Sequence, residues 1–141
     1  MHPPTPRFVV SRWLPVLAYA GVVWYFSSQA GLDIPGGVSD KIAHAIEFGV
    51  LGALLWRAIN GSILARPDLR RVLAVVGACA GYAAFDEIHQ AFVPGRESSL
   101  TDLAADVAGV LLILGLLSAI GLRAGRSRER VPRGSPSHRP V

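Results

Sequence analysis

The chain has 141 residues, 51% of them hydrophobic and 17% charged, with a mean hydropathy of +0.40; a soluble domain carries about a quarter charged residues, so that class is excluded. The net charge is +4, but the basic residues sit at the ends of apolar segments and do not interleave with aromatics, which excludes nucleic acid as a partner. Cys79 is the lone cysteine, so an intramolecular disulfide is excluded as well.

In chain order, the first apolar segment covers about 8–27, "FVVSRWLPVLAYAGVVWYFS", with Trp13, Trp24 and Tyr25 placed like interfacial anchors and Pro15 positioned for a mild kink. Arg7 and Arg12 at its start, and "SSQAG" at its end, give it the outline of a signal peptide cleaved after Ala30. Three further apolar segments follow, so it is read as a retained helix. They cover about 42–59, 72–92 and 103–122. Each approaches the roughly 20 residues that cross a bilayer as a helix. No period-2 alternation is present, and only helices or closed barrels span lipid. The expected fold is therefore all-α, a polytopic membrane protein with a bundle of four transmembrane helices. Residues 1–122 form that domain, and 123–141, rich in Arg, Pro, Ser and Gly, read as a disordered basic tail. Cys79, in "VVGACAGYAAF", reads as a small residue packed between helices.

Arg7 and Arg12 precede the first helix, Arg57, Arg66, Arg70 and Arg71 surround the second loop, and Arg123, Arg126, Arg128, Arg130, Arg133 and Arg139 follow the last helix. An even number of crossings puts all three groups on one face, which the positive-inside rule makes cytoplasmic, with both termini. The other face keeps Lys41 and Arg96, together with Asp33, Asp40, Glu47, Asp86, Glu87, Glu97, Asp102 and Asp106.

That outer face gathers the residues of chemical interest. On the second helix Asp40, His44 and Glu47 follow i, i+4, i+7 spacing and share a side. On the third, Glu87 and Gln90 are i, i+3 neighbours and Asp86 meets Gln90 at i, i+4. On the fourth, Asp102 and Asp106 are i, i+4. Asp40 and Thr101 or Asp102 are expected as helix N-caps, a "VPGR" turn joins the third and fourth helices, and His89 is expected to face outward. Several of these groups must lie below head-group level, where a charge costs about 2.5–3.5 kcal/mol on insertion scales and faces a bundle interior or wet cavity. Caps and salt bridges are the plain alternative for Asp40, Asp102 and Ser98, but they explain the whole set poorly. The set is expected to form one shared polar pocket opening outward, with Lys41 and Arg96 neutralising part of it.

The segments "FSSQ", "DKIAHAIEFGVLG" and "FDEIHQAFVPGRESSLTDLAADVAG", in this order, resemble the VanZ-like family of small integral membrane proteins over roughly residues 20–115. The pattern carries over to Ser27, Ser28 and Gln29, to Asp40, Lys41, His44 and Phe48, and to Glu87, Gln90, Pro94, Arg96 and Asp102. The position of Asp106 is Asn in many relatives. The resemblance implies a multi-pass protein of the bacterial cytoplasmic membrane. The family's founding member is associated with resistance to glycopeptides such as teicoplanin. The resemblance thus implies a fold and a setting, not a reaction.

Two functions of different class fit these residues. In an enzyme acting on a lipid-linked envelope component, Glu87 or Asp102 would serve as base and His44 as proton partner. Lys41 and Arg96 would hold an anionic group, with Asp40, Gln90 and Asp106 lining the site. Carboxylates outnumber cations, so a phosphate would need a divalent cation as a bridge, and the oxygen-rich set could hold one. In a non-catalytic protein the same pocket would recognise a membrane lipid or a glycopeptide. The small residues of "GVLGALL" and "AGVLLILG" could also pack against a second copy, making a homo-oligomer.

Overall fold

A computed structural model describes residues 6–30 and 39–129. Among these residues there are four helices and no strand: α1 (Pro6–Ser27), α2 (Asp40–Asn60), α3 (Leu69–Gln90) and α4 (Leu100–Glu129). Each contains a span long and apolar enough to cross a membrane: Val9–Ser27, Asp40–Asn60, Leu69–Gln90 and Leu100–Gly125. A span of 22 residues is about 33 Å long at 1.5 Å per residue, close to the hydrocarbon thickness of a bilayer. The all-α bundle is therefore as expected, with starts two or three residues earlier than the apolar runs alone suggest.

The core is thin and the outside is greasy. Trp56, Phe48, Val23, Val75 and Val110 are fully buried, while Leu17, Ile46, Leu73, Ile88 and Leu112 stand exposed. So many exposed large apolar side chains suit a protein whose surface meets lipid. Cys79 is buried in the core, as its small neighbours suggested.

α2 and α4 form the most extensive helix pair. Gly109 is the reason they come so close: a Cβ there would overlap the Ala45 carbonyl, and Gly49 packs in turn against the Gly109 backbone. Close approach through small residues is how helices associate where lipid removes the hydrophobic drive. Gly49, Gly52 and Gly109, expected as a surface for a second copy, thus meet α2–α4 partners within the chain. Tyr82 ties α3 to α1 at mid-depth, its hydroxyl donating to the Ala20 carbonyl at 2.7 Å.

One end of the bundle collects the arginines. The Arg12 guanidinium lies against Gly61, and that of Arg66 against Gly125. The start of α1, the α2–α3 loop and the end of α4 are therefore neighbours, as an even number of crossings requires. In that loop Arg71 donates to Asn60 Oδ1 at 2.8 Å, and the Asp68 side chain caps α3 by accepting the Arg71 N–H at 3.1 Å. α4 runs to Glu129, seven residues beyond the expected end at 122. The added turns are rich in Arg, a good helix former whose charge is favourable at a helix C-terminus. The basic tail expected from 123 thus begins as helix, and Arg130, Arg133 and Arg139 lie outside the described residues, as does Asp33 at the other end.

Candidate functional site

At the opposite end, α3 stops at Gln90, shortly before Pro94. The residue before a proline is biased away from helical backbone, and the Ala91, Phe92 and Val93 N–H groups close the last turn on Glu87, His89 and Gln90. The expected "VPGR" turn follows, with the Arg96 N–H donating to the Val93 carbonyl at 3.1 Å. Pro94 and Gly95, the latter at φ +80°, occupy the two central positions of a type II turn. Glu87 Oε2 then accepts the Ser99 N–H at 2.6 Å. The first turn of α4 closes on the Ser99 carbonyl, which receives the Asp102 and Leu103 N–H groups.

This geometry moves both expected caps. Ser39 occupies the N-cap position of α2, and Asp40 is its first helical residue. Ser99 precedes α4, so Thr101 and Asp102 lie inside the helix. Asp40 and Asp102 consequently point sideways from the first turn, where acidic side chains also suit the helix dipole.

The bundle brings three helices together on a buried polar cluster. Asp86, Glu87, Gln90, His44, Asp102 and Asp106 are all buried, Asp106 to 1% exposure. His44 Nδ1 and Asp106 Oδ1 are 3.0 Å apart, and His44 Nε2 lies 3.8 Å from Asp40 Oδ2. Lys41, itself half-exposed, donates to Asp102 Oδ1 at 3.0 Å. Asp86 accepts the Ser27 hydroxyl at 2.7 Å and the Gln90 amide at 2.8 Å. A buried carboxylate needs such donors, because its desolvation is otherwise uncompensated.

Set against the residues singled out from the sequence, His44, Glu87, Asp106, Asp102, Asp40 and Lys41 meet in one place. Gln90 belongs to the neighbouring Asp86 pair. Arg96 does not enter the cluster: its Nε donates to the Gln29 carbonyl at 3.2 Å and its Nη2 to that of Phe26 at 3.0 Å. A guanidinium favours those carbonyls because they end α1 and carry the negative pole of its dipole. His89 also departs from expectation. It stacks on Trp24 with ring centroids 3.8 Å apart and meets Ser28 Oγ at 2.9 Å, so it faces α1. Trp24, half-buried, stacks on Phe85 as well as His89, while Tyr25 is exposed. Ser27 and Asp86, polar residues within the last turns of apolar helices, form a second buried pair beside the cluster.

Beside the cluster, α2 and α4 border an apolar groove of about 770 Å³, lined by small residues such as Ala45, Gly49 and Ala108, by larger ones such as Ile46, Leu54 and Leu112, and by Lys41. Two sets of potential metal ligands are also present, Asp40 with His44 and Asp102, and His44 with Glu87 and Asp106, each with donor atoms within 4.8 Å of one another.

A family model described as VanZ/LLP1 matches residues 7–121. No curated protein and no solved structure matches the chain.

Proposed function

The chain belongs to the VanZ/LLP1 family, and from that premise we propose that it binds an anionic lipid-linked component of the bacterial cell envelope. The lipid chain occupies the α2–α4 groove and its head group reaches Lys41 and the polar cluster. The observation that carries this reading is the continuity of groove and cluster through Lys41. Ligand pockets run to about 300–1,000 Å³, so a groove of about 770 Å³ is large enough for a lipid chain. Its depth within two apolar spans supports a lipid occupant over a free glycopeptide.

The arginine-bearing end is cytoplasmic by the positive-inside rule, which makes the pocket extracytoplasmic in the inner membrane. Lys41 supplies the positive charge at the pocket, and its pairing with Asp102 holds it there between ligands. His44 lies between Asp106 and Asp40, at the polar end of the pocket.

Native mass spectrometry of protein extracted with its lipids tests this reading. The wild type should carry an anionic lipid-linked adduct, while Ala108→Trp, which fills the groove, and Lys41→Ala should lose it. An adduct retained in both variants, or none in the wild type, contradicts the reading.

A further inference from the structure

Glu87 is anomalous among the four buried carboxylates. Oε2 holds the Ser99 N–H, but Oε1 is buried without any hydrogen-bond partner, on a residue only 6% exposed. An orphaned anionic oxygen in such a place costs several kcal/mol unless something compensates it. The two cations of this end are engaged elsewhere, Lys41 on Asp102 and Arg96 on backbone carbonyls. Asp106, buried to 1%, pairs with the His44 ring at 3.0 Å.

From these residues we propose that His44, Glu87 and Asp106 form a binding site for one divalent transition-metal ion, with Zn²⁺ as the best match. One ligand comes from each of α2, α3 and α4, and their donor atoms lie within 4.8 Å of one another. Two carboxylates balance the charge of a divalent ion, so the buried site becomes neutral when it is filled. An imidazole in the set favours Zn²⁺ over Mg²⁺ or Ca²⁺, which take oxygen ligands. With Nδ1 as ligand, the Nε2–H of His44 points to Asp40 at 3.8 Å, the outer carboxylate that metal-bound histidines commonly have. Three protein ligands leave a coordination position open, the arrangement of zinc sites that receive a water or substrate oxygen. The inference deepens the pocket reading above and rests on it only for what would meet that open position.

The test is isothermal titration of Zn²⁺ into EDTA-stripped, full-length protein in lipid-free detergent, with Mg²⁺ in excess. The expected result is one Zn²⁺ per chain. Glu87→Gln and Asp106→Asn should each weaken binding by more than about 100-fold, the upper end of what loss of an outer partner costs. Glu97→Gln, in the exposed loop, should leave it unchanged. X-ray absorption of Zn²⁺-loaded wild type needs no variant, and should show one imidazole with oxygen donors and no sulfur. No stoichiometric Zn²⁺, unchanged affinity in both ligand variants, or a zinc shell without imidazole would overturn the proposal. Because the titration contains no lipid, a chain that binds Zn²⁺ but retains no lipid separates the two readings, as does the converse.

Discussion

The Ser99 backbone N–H donates to Glu87 Oε2 across 2.6 Å, so a carboxylate in the last turn of α3 fixes the residue from which α4 starts. The α3–α4 turn and the buried cluster are thereby one mechanical unit. Replacing Glu87 with Ala leaves the Ser99 N–H without its acceptor, a loss offset by removal of the uncompensated Oε1, so the variant reports on local order at the start of α4 more than on global stability. It should raise amide hydrogen exchange at 99–103 with little change near Arg57 or Arg71. Exchange that is unchanged at 99–103 would place the start of α4 under other control.

Gly109 and Gly115 lie on the same helix and should respond with opposite sign. A Cβ at Gly109 overlaps the Ala45 carbonyl, whereas Gly115 has nothing within 4 Å. Gly109→Ala forces α2 and α4 apart and should destabilise by about 1–3 kcal/mol, as overpacking does. Gly115→Ala should be neutral or stabilising by up to about 1 kcal/mol through helix propensity. Thermal melts of both variants in the same detergent check the contrast.

Much of this architecture was readable before any coordinates. Four apolar runs, arginines at alternate ends, and polar residues confined to the other ends were enough for the bundle and the shared pocket. The turn at 93–96 was equally plain, because Pro-Gly has few conformational options. Partner choice was not readable. Arg96 went to the Phe26 and Gln29 carbonyls, and backbone acceptors leave no trace in a residue pattern. His44 could have met any of several acids, and its pairing with Asp106 follows from the close α2–α4 contact at Gly109, which periodicity does not reveal. The caps shifted to Ser39 and Ser99 because helix ends respond to tertiary bonds such as Glu87 to Ser99.

Arg96 is expected to act as a clamp on α1. Arg96→Ala removes its donors from the Gln29 and Phe26 carbonyls, and should increase exchange at 26–29 and loosen the α1–α3 contact. Arg96→Lys, a single point charge without the guanidinium fork, should restore this only in part. If the alanine variant instead abolishes lipid retention with exchange unchanged, Arg96 contacts the head group directly.

Lys41 separates binding from stability. Its pair with Asp102 is half-exposed on the lysine side, and such pairs contribute about 0–1 kcal/mol. Lys41→Ala should therefore melt within about 1 kcal/mol of wild type while losing bound anionic lipid. A large stability loss with full lipid retention would make Lys41 a structural residue alone.

Orientation is accessible through single cysteines, since Cys79 is 1% exposed and should react slowly. Glu97→Cys in the loop of the polar end should be labelled by a membrane-impermeant maleimide in spheroplasts, where the outer surface of the inner membrane is open. Arg70→Cys should be labelled only after lysis. The reverse pattern would put the pocket on the cytoplasmic side.

The central claim is that a lipid chain lies between α2 and α4 with its head group at Lys41. Photo-crosslinking with an anionic lipid phosphate, carrying a diazirine along its chain, tests it most directly. Peptide mapping should place the label on the groove-lining stretches 42–54 and 105–116, and Ala108→Trp should abolish it. Label spread evenly over the lipid-facing sides of all four helices, and indifferent to Ala108→Trp, would contradict the account.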